Sequence, residues 1–251
     1  MIELKTRQEI ETLRECNQIV AEVLAILEGH CQPGASTLDL DRIAEGLTLK
    51  HKARPAFKGY HGFPATLCTS INEEVVHGIP SAKRILKKGD ILSIDFGVCY
   101  EGYYGDAAIT VPIGEISEEL QFLLRTTQEA LMLGIQQAVP GNHLADISGA
   151  IQTHAEIRGF SVVKEYSGHG VGKSLHEEPA VLNFVANGRG ILLKPGLVLA
   201  IEPMVNQGTD KVQVLGDGWT VVTRDRKCSA HFEHSIAITE EGPIILSQKN
   251  L

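Results

Sequence analysis

Four acidic residues stand in apolar strand-like stretches where a charge is out of place. Asp95 interrupts Leu92-Ser93-Ile94-Asp95-Phe96-Gly97, Asp106 follows Tyr103-Tyr104-Gly105, Glu202 ends Leu199-Ala200-Ile201, and Glu233 sits inside His231-Phe232-Glu233-His234-Ser235-Ile236. An ionised carboxylate in such a place is costly to bury alone. Glu101-Gly102 reads as a hairpin turn, so Asp95 and Asp106 fall near one another across the ladder, with an offset of about two residues. Facing carboxylates repel unless a proton or a cation lies between them. A lone acid at a strand end is more often a solvated edge or turn residue, and taken singly each of the four keeps that reading.

The chain echoes itself at an offset of 107 residues, and the echo brings the acids together. Leu86-Lys87-Lys88-Gly89-Asp90-Ile91-Leu92-Ser93-Ile94-Asp95 falls on Leu193-Lys194-Pro195-Gly196-Leu197-Val198-Leu199-Ala200-Ile201-Glu202, while Pro33-Gly34 falls on Pro140-Gly141 and Asp39-Leu40 on Asp146-Ile147. One echo is too long for a solenoid and points to two similar halves, about 6–112 and 113–247, packed as a single domain 1–251. Repeated strand vocabulary could mimic it. With Glu202 placed like Asp95 and Glu233 further along, the acids join His169 in an oxygen-rich set with one imidazole. That set suits two divalent cations bridged by carboxylates roughly 3.5–4 Å apart. His77, His176, His231 and His234 compete as ligands, and zincin chemistry is unsupported because position 180 is Ala.

Gly168-His169-Gly170-Val171-Gly172-Lys173-Ser174 invites a phosphate-loop reading and fails it. Position 167 is Ser, and Pro179 leaves little room for the helix that must follow. These glycines instead suit a backbone that approaches something closely, with His169 at its centre.

Such residues need elements to hold them. Thr6-x-x-Glu9 is a capping box, and Ile10, Leu13, Val20, Leu24 and Leu27 follow at helical spacing before Gly29. A second helix is expected from about Ser36 to Lys52, strands from Thr66 to about Pro112, a long helix capped by Ser117 through Leu131, and a shorter one from about Leu144 to Arg158. Strands dominate after Gly159. The expected class is α+β, with strands meeting at the centre and helices outside.

Composition sets the outer bounds. The 251 residues, 43% hydrophobic and 22% charged, contain no apolar run of about 18 that could span a bilayer. Residues 1–9 carry acids and no apolar core of a leader, so the cytoplasm is the expected location. Five scattered cysteines, none in a C-x-x-C pair, argue against a disulfide framework and a zinc ribbon. A net charge of −8 weighs against nucleic-acid binding.

Five strings, in order, resemble the type I methionine aminopeptidases of peptidase family M24, in their bacterial form. They are Ser70-Ile71-Asn72-Glu73 with Val76-His77-Gly78-Ile79-Pro80; Asp95 and Asp106; Gly168-His169-Gly170-Val171-Gly172 with His176-Glu177-Glu178-Pro179; Ile201-Glu202-Pro203-Met204; and Ala230-His231-Phe232-Glu233-His234. The resemblance runs from about residue 4 to residue 247 and implies the pita-bread fold, two similar halves around a central antiparallel sheet. It implies removal of N-terminal methionine from nascent proteins and short peptides, with two divalent ions (Mn, Fe, Co or Zn) held by Asp95, Asp106, His169, Glu202 and Glu233. Asp106 and Glu233 match the bridging carboxylates, Glu202 also the proton acceptor, and His77 and His176 the histidines that contact the scissile peptide. Tyr60, His61, Cys68 and Trp219 match the side-chain pocket, whereas Phe57, Phe63 and Leu175 stand where bacterial members commonly have Cys, Tyr and Phe.

The gap of 31 residues between Glu202 and Glu233 leaves no room for the helical insertion of type II members. A bare catalytic domain, monomeric, is the expected form. Basic residues at Lys83-Arg84 and Lys87-Lys88, or at Arg224 and Arg226-Lys227, are the expected ribosome contact. Two rivals share the fold: proline-specific aminopeptidases, which carry a long N-terminal domain, and non-catalytic peptide or RNA adaptors, which have lost ligands that this chain keeps.

Overall fold

The computed structural model describes residues 2–249; the ends of the expected 1–251 span, residue 1 and residues 250–251, lie outside them. In chain order the elements are α1 (Arg7–His30), α2 (Thr37–Lys50), β1 (Arg54–Pro55), β2 (Leu67–Ile71), β3 (Glu74–Val76), β4 (Ile91–Tyr100), β5 (Tyr103–Pro112), α3 (Glu118–Gln136) and α4 (Leu144–Glu156). There follow β6 (Ser161–Val162), β7 (Gly168–Gly170), β8 (Glu177–Val181), β9 (Val198–Ile201), β10 (Met204–Asn206), β11 (Val212–Val214), β12 (Val221–Thr223), β13 (Ser229–His231), β14 (Glu233–Thr239) and β15 (Gly242–Ile245). The α+β class is as expected. Among the described residues, no helix is long and apolar enough to cross a membrane.

Each helix starts where its cap dictates. The Thr6 side chain accepts from the Glu9 amide while Glu9 accepts from the Thr6 amide, completing the capping box of α1. Ser36 and Ser117 cap α2 and α3 in the same way, accepting from Asp39 and Leu120. The third helix runs to Gln136, beyond the expected Leu131, because the buried residues Gly134 and Ile135 extend its apolar stripe by another turn.

One sheet organises the molecule, with strands in the order β1-β4-β5-β14-β9-β7-β8, β2 also pairing with β4 and β15 with β14. Its two faces differ because strand residues alternate sides. On β4, Leu92, Ile94, Phe96 and Val98 pack with α1 and α2 residues such as Val20, Leu24 and Leu40. On β9 and β14, Leu199, Ile201, Ile236 and Ile238 pack with Leu123, Leu131, Ile147 and Ile151 of α3 and α4. Each helix pair thus covers one half of the same face. Burying one such large apolar side chain stabilises by about 1.5–3 kcal/mol.

The two halves share detailed hydrogen bonding. Gly34 N–H donates to Leu86 C=O and Gly141 N–H to Leu193 C=O; Thr37 N–H donates to Arg84 C=O and Leu144 N–H to Ile191 C=O. Isolated bridges join Ser36 to Ile85 and His143 to Leu192. Every member of each second pair lies 107 residues after its counterpart.

Candidate metal centre

The sheet face opposite the helices carries the acids, and strand register explains why. Asp95 on β4 and Glu233 on β14 both pair with Ala108 of β5, so the three lie in one row across adjacent strands. Asp106 pairs with Gly97, two residues from Asp95, which is the offset the hairpin turn implied. On β9, Ala200 pairs with both Ser235 and His169, which sets His169, Glu233 and Glu202 on that same side. Ala108 and Ala200 keep the row clear of bulk. A Cβ on Gly168 would collide with the Ala200 carbonyl and one on Gly170 with the Glu178 carbonyl, so glycine on either side lets the His169 strand pack there.

One atom from each of Asp106, His169 and Glu233 lies within 4.8 Å of the others. Glu202 stands beside them, its Oε1 3.6 Å from His169 Nε2, and Asp106 Oδ2 is 3.9 Å from the same nitrogen. Asp95 completes the group, lining the same cavity. All five expected ligands therefore line one cavity of about 250 Å³.

The electrostatics of this group call for cations. Burial, together with the charge of nearby Glu202, raises the Asp95 carboxyl to about 7, and burial raises that of Glu202 to about 8. Asp106 and Glu233 are held well above the usual carboxylate range by the same causes. Burial also keeps His169 neutral, pushing it down to about 3, which leaves its imidazole free to act as a ligand. Asp95 Oδ1, Asp106 Oδ1 and Glu233 Oε1 are buried and lack hydrogen-bond partners. Hard oxygen donors with one imidazole, unpaired and converging, fit divalent first-row ions.

His77 and His176 reach the same cavity from its rim. His77 has a left-handed backbone (φ 60), an uncommon and strained state for a non-glycine residue. The following Gly78 holds the turn, donating to Ser70 Oγ and accepting from the Thr69 amide. Burial lowers His77 to about 4 and also lowers His176. Tyr60 Oη lies 2.8 Å from His176 Nδ1, an anchor that sequence reasoning did not identify. Behind His176, Lys5 is 6% exposed, yet its Nζ lies 2.7 Å from Glu177 Oε2 and its amide donates to Gly196. Glu177 Oε1 accepts in turn from the Ser174 amide.

The remaining wall is apolar. Phe57, Phe63, Cys68 and Leu175 are buried together, with Tyr60 and Trp219 packed against them. The Phe63 and Trp219 rings meet edge to face at 5.1 Å, and Asp217 fixes the Trp219 turn by accepting from the amides of Trp219 and Thr220. Phe57 fits because Gly97 has no side chain: a Cβ there would come within 2.9 Å of the ring. His61 lines the mouth in a left-handed conformation (φ 48). Core packing and pocket lining are one role for these residues. His231, expected among the competing ligands, has its Nε2 3.4 Å from Glu202 Oε2, a contact that spacing does not reveal.

Comparisons with known proteins agree with this geometry. Residues 11–240 match metallopeptidase family M24. The chain is 53% identical to methionine aminopeptidase 1 of Bacillus subtilis, over 99% of this chain and 100% of that protein. It is 52% identical to the methionine aminopeptidase of Clostridium acetobutylicum, over 98% and 99%. The crystal structure of methionine aminopeptidase from Thermotoga maritima superposes with a TM-score of 0.97 at 44% identity, covering 99% of this chain and 100% of that one. A prolidase from Pyrococcus horikoshii shares the fold at a TM-score of 0.79 and 22% identity, and this chain covers only 64% of it. On these grounds the chain belongs to metallopeptidase family M24, within its methionine aminopeptidases.

Proposed function

We propose that the chain removes the N-terminal methionine from peptides and nascent proteins by metal-assisted hydrolysis of the first peptide bond. The observation that carries this is a single cavity with a carboxylate and imidazole floor and an apolar, aromatic wall. In this reading Asp95, Asp106, His169, Glu202 and Glu233 would hold two divalent cations. Bound there, such cations lower the pKa of water toward neutrality and polarise a carbonyl.

The chain's own groups do the rest. Glu202 takes the proton of the attacking water and returns it to the leaving nitrogen. His176 is neutral, and with Tyr60 Oη donating to Nδ1 its Nε2–H is the free donor. That donor stabilises negative charge as it develops on the carbonyl oxygen. His77, also neutral, aligns the peptide nitrogen from the opposite rim. Phe57, Phe63, Cys68, Leu175 and Trp219 receive the methionine side chain, whose polarizable sulfur packs well against aromatic rings. His61 and Tyr60 border the path of the following residues.

Nascent chains at the ribosome are the proposed partners. In the basic segment 83–88, Arg84 is paired with Glu74 and Lys88 lies 3.0 Å from Glu115, so Lys83 and Lys87 are the better candidates for docking. The test of the function is methionine release from Met-Ala-Ser and cleavage of Ala-Pro-Ser after chelation and after each metal is restored. Metal-restored cleavage of Met-Ala-Ser alone is expected. Cleavage of Ala-Pro-Ser moves the assignment to the proline-specific relatives, and no cleavage with any metal overturns it.

A further inference from the structure

His231 is buried, beside the reaction centre, and has no part in the chemistry above. It ends β13 with 1% exposure, and neither ring nitrogen has a hydrogen-bond partner. Its backbone is pinned: the amide donates to Thr110 Oγ1 at 2.9 Å and the carbonyl accepts from that hydroxyl at 2.7 Å. Thr110 is held in turn by Ser93 Oγ at 2.9 Å. Across the small sheet His231 pairs with Met204, two residues beyond Glu202. The backbone that carries the imidazole is thus fixed close to that acid.

Glu202 divides its oxygens between two imidazoles. Oε1 lies 3.6 Å from His169 Nε2 and Oε2 lies 3.4 Å from His231 Nε2. Unpaired buried nitrogens are rare in folded proteins, and catalytic hydrogen bonds often tighten only when a site is loaded. We propose that His231 is a positioning residue whose Nε2–H donates to Glu202 Oε2. The bond fixes the rotation of that carboxylate and presents Oε1 to the floor of the cavity. The inference rests on the role given to Glu202 in the proposed function.

His231→Leu and His231→Gln, compared in the metal-loaded protein, test it. The leucine variant should lose about 10- to 100-fold in kcat for Met-Ala-Ser with KM little changed, and should bind Mn(II) more weakly by calorimetry. Glutamine keeps an N–H donor and should recover most of both losses. A folded leucine variant with unaltered kcat and Mn(II) affinity overturns the proposal, as does a glutamine variant no better than leucine. Should the leucine variant not fold, 15N spectra of the unmutated protein decide: an Nε2–H tautomer at His231 supports the bond and an Nδ1–H tautomer excludes it. If the unmutated protein binds Mn(II) but releases no methionine, the functional reading fails, while affinity and tautomer still judge His231.

Discussion

The floor and the wall of the cavity are built by different means. The floor stands on neighbouring strands β4, β5, β14, β9 and β7, and register alone puts Asp95, Asp106, Glu233, Glu202 and His169 on one side. Most of the wall comes from turns and loops: Phe57, Tyr60, His61 and Phe63 before β2, Leu175 between β7 and β8, and Trp219 in the turn before β12. A floor that must hold cations needs positions fixed by a ladder. A wall that reads a side chain can vary in size without moving the chemistry.

That contrast is broken most severely at the floor. Glu202→Gln should cost about 10²- to 10⁴-fold in kcat, measured with saturating Met-Ala-Ser and metal, since it removes the proposed proton acceptor. His176→Ala, at the junction of floor and wall, should cost about 10²- to 10³-fold in kcat through loss of its donor. Tyr60→Phe should cost less, because the imidazole stays and loses only its anchor.

The floor should also make stability depend on pH in the opposite sense to that of most carboxylates. The Asp95 and Glu202 pKa values are raised on folding, from 3.8 to about 7 and from 4.5 to about 8, so the native chain binds more protons than the unfolded one between those limits. Their contribution to the stability of chelated protein is therefore present below about pH 4 and lost as pH rises through 7 and 8, while the buried histidines His77 and His169, neutral in the fold, contribute in the opposite sense below about pH 6.5. Thermal melts of chelated protein should shift downward from about pH 6.5 to pH 8, above the range in which the buried histidines oppose the trend, and divalent metal should reverse the shift. An unchanged melting temperature across that range would mean that the acids are not buried together.

The smallest effects belong to the wall. Gly97→Ala should push the Phe57 ring into the cavity and raise KM for Met-Ala-Ser roughly 10-fold with kcat nearly unchanged, the signature of binding lost equally in ground and transition states. A fall in kcat instead would show that Gly97 serves the floor, since the same Cβ would also lie 3.2 Å from Asp106 Oδ1.

Much of the floor was readable before any coordinates. A hairpin turn sets register locally, so Glu101-Gly102 sufficed to place Asp106 opposite Gly97. The echo paired Asp95 with Glu202 because equivalent strands end in equivalent acids. Periodicity could not show that β5 pairs with β14, a contact that joins the halves and puts Ala108 between Asp95 and Glu233. Such pairings are non-local and leave no trace in spacing. The His231–Glu202 and Tyr60–His176 contacts were missed for the same reason: each joins residues far apart along the chain, at separations of 29 and 116. The left-handed backbone of His77 is likewise imposed by the tertiary setting and not by its residue type.

The buried Lys5–Glu177 pair ties together segments 172 positions apart. A Cβ on Gly172 would also run into the Lys5 side chain, and the Gly172 carbonyl accepts the Tyr104 amide, so the turn behind His176 rests on the first residues of the fold. If the turn swings out, the nearly buried Lys5 ammonium keeps, among the described residues, only Glu3, at 3.5 Å. The two segments form one opening unit: amide exchange at Lys5 and at Ser174 should report the same free energy of opening, and a slackened N-terminal segment will be felt as a less ordered His176.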